Sequence, residues 1–167
     1  MPVSVLLLLV VALILCSLAI SDLQSRHLPN HRVFALGLLY LLYGLWAIPS
    51  TGWGAIGWHV VAGLLAFVVL FVLYVLGAMG GGDVKLGAAV YLWAGPAGAF
   101  PVTIIITWLG ALLAVMGWLV DRPGLQRFTN RPWRCISNAV SAQRGVPYGL
   151  ALAAGGLYVL WRHALLL

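Results

Sequence analysis

Three residues in this chain carry a side-chain carboxylate: Asp22, Asp83 and Asp121. There is no glutamate among its 167 residues. Asp121 stands beside Arg122 in a basic stretch and reads as a solvated loop charge. The other two sit differently. Asp22 follows the uncharged run 1–21, and Asp83 follows Gly80-Gly81-Gly82 at the end of the uncharged run 33–82. A carboxylate against hydrocarbon is costly and by default marks a functional site. Two of them at one depth can share a proton, because like charges ~3 Å apart do not readily both ionise. Such a pair supplies a base for water and an acid for a leaving amine. In a small transporter subunit the same pair would bind a cation or a proton instead. The three glycines weaken a helix by ~1 kcal/mol each relative to Ala. They let the backbone leave helical geometry and let another chain approach closely.

The surrounding residues are expected to support this pair. Lys85, two residues beyond Asp83, is placed either to hold that carboxylate ionised or position a carbonyl, or to anchor the chain at headgroups. Pro29 and Asn30 are expected to start a helix, with Asn30 as its N-cap, and so to fix the loop carrying Asp22. Arg26 and Arg32 read as interfacial anchors. Tyr148 is placed near the site or, like most of the eight Trp residues, at a membrane–water interface. His27, His31, His59 and His163 show no metal-ligand spacing, and Pro29 separates the first two. Cys16 and Cys135 fall in a span and a loop, so neither a disulfide nor a metal site is expected, and no cofactor is required.

The elements that must carry these residues follow from composition. Residues of the set AVILMFWYC make up 63% and charged residues 7%, against the usual ~45–50% and ~25%. The mean hydropathy is +1.07. So few charges cannot cover a soluble surface, which excludes a water-soluble enzyme, a nucleic-acid-binding module and a disordered tail. Runs such as Leu6-Leu7-Leu8-Leu9 do not alternate as a membrane β-barrel requires. The chain is expected to be an all-α polytopic membrane protein, one domain over 1–167.

A span needs ~20 apolar residues. Residues 1–21 give one, read as a retained helix because no basic residue precedes it. The run 33–82 gives two, separated at Pro49-Ser50-Thr51-Gly52. The run 86–120 gives two shorter ones, separated at Gly95-Pro96 and Pro101, and residues 145–161 give the last. The total is about six. With six spans, Arg26, Arg32, Lys85, Arg122, Arg127, Arg131, Arg134 and Arg144 share one side and only Arg162 lies on the other. The positive-inside rule makes the first side cytoplasmic and both termini periplasmic. It accounts for the net charge of +6 without nucleic acid, and loop 121–145 suits anionic membrane lipids.

Gly80-Gly81-Gly82-Asp83-Val84-Lys85-Leu86 resembles the Gly-x-Gly-Asp-x-Lys motif of the type IV prepilin peptidases. Asp22-Leu23-Gln24-Ser25-Arg26-His27-Leu28-Pro29-Asn30 is similar to their first aspartate block, and Val146-Pro147-Tyr148-Gly149-Leu150-Ala151-Leu152 to the segment opening their last helix. The resemblance implies an aspartic endopeptidase of the bacterial inner membrane with Asp22 and Asp83 as the catalytic pair. It would remove a short leader from prepilins or pseudopilins at the cytoplasmic face, after a Gly and just before an apolar helix. Long members carry paired Cys-x-x-Cys motifs and methylate the new N-terminus. This chain lacks them, so methylation is not expected, and the short form resembles the peptidases of Flp/Tad pilus systems. A presenilin-like protease would have nine spans and a mid-helix Tyr-Asp pair. A transporter would be expected to show internal repeats, and none is visible between 1–80 and 81–167.

Overall fold

The computed structural model describes residues 2–121 and 146–165, and every regular element in them is an α-helix. The arginines and Cys135 of loop 122–145 lie outside the described residues. We label the helices α1 (Pro2–Ser25), α2 (Asn30–Val75), α3 (Gly81–Val120) and α4 (Tyr148–Leu165). Three helices are long and apolar enough to cross a membrane: Ser4–Ser25, Gly52–Val75 and Gly81–Val120. Large apolar side chains such as Leu13, Phe34, Leu64, Val68 and Trp108 are exposed. Helices apolar on every side, outward as well as inward, belong in a membrane.

Both long helices break where glycine permits it. In α2 the break is at Gly52 (φ 75, ψ 161), directly after Pro49-Ser50-Thr51. In α3 it is at Gly95 (φ 59, ψ −175). Gly95 precedes Pro96, which opens the second half of α3 with a φ already suited to a helix start. Pro101 was expected to interrupt the chain as well, but α3 runs through it.

Proline still removes a donor from the helix ladder, and other elements supply replacements. The carbonyl of Leu92 lies four residues before Pro96 and accepts instead from His59 Nδ1 at 3.0 Å. The carbonyl of Ala97 lies four before Pro101 and accepts from Arg162 at 3.3 Å. That of Trp93, freed by the break itself, accepts from His163 Nε2 at 3.2 Å. In hydrocarbon an unmet backbone carbonyl is costly, so irregular backbone there needs such partners.

The helices pack through small residues. α3 lies against α2 and α4, and α1 against α4 and, less extensively, α2. A Cβ at Gly63 would stand 3.1 Å from Leu92 Cβ, bringing the second half of α2 onto α3. A Cβ at Gly155 would meet Ile106 of α3 at 2.9 Å, and one at Gly156 would meet Leu15 of α1 at 2.8 Å. Small residues of this kind let membrane helices approach closely. Trp93 fills the centre at 2% exposure and donates its indole N–H to Leu36 O at 3.0 Å. It is thus a core residue, unlike the exposed Trp46, Trp53, Trp58, Trp108, Trp118 and Trp161.

Candidate active site

Asp22 belongs to the buried stripe of α1. Ser4, Leu8, Val11, Leu15, Leu18 and Asp22 are the buried ones among the described side chains of this helix. Their spacing of four and three is that of one helical face. The stripe turns inward as hydrocarbon for most of its length and ends in a carboxylate that is only 5% exposed.

What receives Asp22 is the start of α4. The backbone N–H groups of Gly149 and Leu150 donate to its carboxylate. These are first-turn groups; the Leu150 N–H also donates to Pro147 O at 3.2 Å, and Pro147 has no side-chain acceptor. A carboxylate from α1 therefore does what an N-cap side chain does within its own helix. The approach is so close that a Cβ at Gly149 would lie 2.8 Å from both Cγ and Oδ2 of Asp22. Seven residues separate Asp22 from Leu15, and seven separate Gly149 from Gly156. The two contacts put α1 and α4 antiparallel in one register.

Asp83 lies in the first turn of α3. Gly80 is the N-cap, in extended conformation and with no side-chain acceptor. Asp83 reaches back to accept from the Gly80 N–H, the return half of a capping box. Gly81 and Gly82 are helical, and none of the three glycines has positive φ. Of the three, only Gly80 leaves helical geometry. The triplet provides space: a Cβ at Gly82 would lie 3.1 Å from Leu28 Cβ, and one at Gly80 3.1 Å from Asp83 Oδ2. The left-handed residue is Gly77 (φ 75), which closes α2 with Gly77 N–H to Tyr74 O and Ala78 N–H to Leu73 O, each 2.9 Å, a Schellman motif.

The structure brings Asp22 and Asp83 together, close enough for their charges to interact. Each is anchored on backbone N–H groups and each keeps one buried oxygen with no hydrogen-bond partner, Oδ2 of Asp22 and Oδ1 of Asp83. Buried polar atoms are nearly always satisfied, and exceptions mark functional sites. Two such oxygens on interacting carboxyls leave the pair with unused acceptor capacity.

Arg26 completes the electrostatics. It was expected to be a headgroup anchor, yet its charge acts on both carboxylates. Its backbone is left-handed (φ 54), with its N–H on Asp22 O at 3.0 Å. Arg32 is likewise drawn inward, donating to Ser17 O at 3.3 Å.

The remaining expected residues make other contacts. Pro29, not Asn30, is the N-cap of α2, and no side chain caps that helix. Asn30 is already helical and accepts from Lys85 Nζ at 3.1 Å. Lys85 therefore bonds to α2, and both residues line an apolar groove of ≈ 720 Å³ between α2 and α3. Tyr148 packs against α3, where a Cβ at Gly110 would stand 3.1 Å from its ring. Gly149 was quoted in the sequence only as part of a motif. Its role needs a third helix to become visible.

A model of the type IV leader peptidase family matches residues 8–115. That span holds both aspartates and covers more than half of the chain, so the chain belongs to this family. No curated protein and no solved structure matches it.

Proposed function

We propose that this member of the type IV leader peptidase family is a membrane-embedded aspartic endopeptidase, with Asp22 and Asp83 as its catalytic pair. The observation carrying this reading is the two interacting carboxyls, each with one buried, unpartnered oxygen. Peptide hydrolysis by such a pair is direct. The ionised carboxylate takes a proton from water as the water oxygen bonds to the scissile carbonyl carbon. The protonated carboxyl hydrogen-bonds the carbonyl oxygen. Collapse breaks the C–N bond, and a proton passes to the leaving amine.

The substrate class we propose is a prepilin or pseudopilin whose short leader is removed just before its apolar helix, on the cytoplasmic side of the bacterial inner membrane. Six crossings with both termini periplasmic suit the breaks at Gly52 and Gly95 and the eight-to-one distribution of basic residues. The short loop after α1 has no Cys-x-x-Cys pair, and this supports a peptidase of the Flp/Tad kind without N-methylation.

The test is conversion of prepilin to pilin, read as a gel shift in membranes. Asp22→Asn and Asp83→Asn should each abolish cleavage with the protein inserted at normal levels. The double variant should be no worse than either, because the two act as a unit. Asp121→Asn should cleave normally. Near-normal cleavage by either single variant would remove the aspartic-protease reading and leave a proton- or cation-binding transporter ahead.

A further inference from the structure

The proposed mechanism needs one carboxyl ionised and one protonated, and the two are held differently. Asp22 accepts from two N–H groups at the start of α4, and Arg26 leads the influences that favour its charge. Asp83 accepts from one N–H group, that of Gly80, and feels Arg26 least among the influences on it. Asp22 is 5% exposed, so burial opposes its charge, and Arg26 and the two N–H groups are what counter that burial. A helix N-terminus carries about half a positive charge and stabilises an anion set against it.

We infer that the N-terminus of α4 is an electrostatic clamp that keeps Asp22 ionised and leaves the shared proton on Asp83, with Gly149 as the positioning residue. The inference rests on the reading of the two aspartates as one catalytic pair. Gly149 acts by what it lacks: a Cβ there would sit 2.8 Å from the Asp22 carboxyl and push it off the donors. In hydrolysis Asp22 is then the base toward water, through its unpartnered Oδ2, and Asp83 donates to the scissile carbonyl from its unpartnered Oδ1. Among the described residues, the charged groups acting on Asp22 are Arg26 at the end of its own helix and Asp83 from α3. What α4 presents to it is backbone N–H.

The pH profile of prepilin cleavage separates this role from a merely structural one. The acid limb follows the first macroscopic ionisation of the pair and the alkaline limb the second. Gly149→Ala displaces Asp22 from the clamp. Leu150→Pro removes one donor, together with its bond to Pro147 O, without adding volume at 149, and a proline is tolerated in a first turn. Each should move the acid limb up by about one pH unit, the equivalent of one charge-assisted hydrogen bond, and leave the alkaline limb in place. A shift of the alkaline limb instead, or of neither limb in an inserted protein, would overturn the clamp. Infrared titration of the protein carrying isotope-labelled aspartate reads the same ionisations without substrate. A wild-type protein that fails to cleave prepilin while Gly149→Ala still shifts the first infrared ionisation would sink the peptidase reading and keep the clamp. Cleavage by the wild type with an unmoved infrared titration would do the reverse.

Discussion

Arg26 adopts a left-handed backbone (φ 54), a conformation costing a non-glycine residue roughly 1–3 kcal/mol. The return is a cation whose field reaches both carboxylates at a depth where nothing else basic among the described residues acts on them. Arg26→Gln leaves a polar, uncharged side chain but removes that field. We expect prepilin cleavage at neutral pH to fall about tenfold, the rate equivalent of ~1.4 kcal/mol, with insertion unchanged. Arg32→Gln, which loses a bond to Ser17 O, should stay near wild type in the same gel assay. The aspartates themselves were legible in the sequence because only three exist and two end apolar runs. Arg26 was not. Counting basic residues per loop assigns each an average role, and nothing local says which arginine turns inward. Gly149 was hidden for a related reason: its neighbour Asp22 is 127 positions away in the chain.

Among the helices, α3 carries the most compromise. It begins with Asp83, breaks at Gly95, and passes two prolines. The break was legible from Gly95-Pro96, since few residues other than glycine take φ 59. Continuation through Pro101 was not, because the substitute donor for Ala97 O comes from Arg162 on α4. The same holds for the caps on Leu92 O and Trp93 O, where His59 and His163 donate. A histidine that satisfies a carbonyl looks like any lone histidine in sequence. His59→Phe should leave Leu92 O without a donor, since Pro96 has none to give. We expect a loss of about 1–3 kcal/mol, seen as a lower unfolding temperature in detergent, while Trp58→Phe, at an exposed position, should change it little.

Across the whole molecule, the proposed six-crossing arrangement sets the carboxylate pair on one side and the His59–His163 caps on the other. Reporter fusions at Ser50 and Leu167 should then score as periplasmic and one at Gln126 as cytoplasmic. Cytoplasmic signals from both Ser50 and Leu167 would refute it. The break at Gly95 has a further consequence for the lipid. From Gly81 to Ala94 the first half of α3 spans about 21 Å at ~1.5 Å per residue, well short of the ~30 Å of a typical hydrocarbon core. A bilayer beside so short a segment thins to avoid exposing its ends. On the proposed six-crossing arrangement we expect such a dimple to bring headgroups and water toward Asp83, and cleavage to be sensitive to hydrophobic mismatch. In vesicles of phosphatidylcholines of rising acyl length, cleavage should be fastest in the thinner bilayers and decline steadily in the thicker ones. A rate indifferent to thickness would mean that water reaches the aspartates by another route.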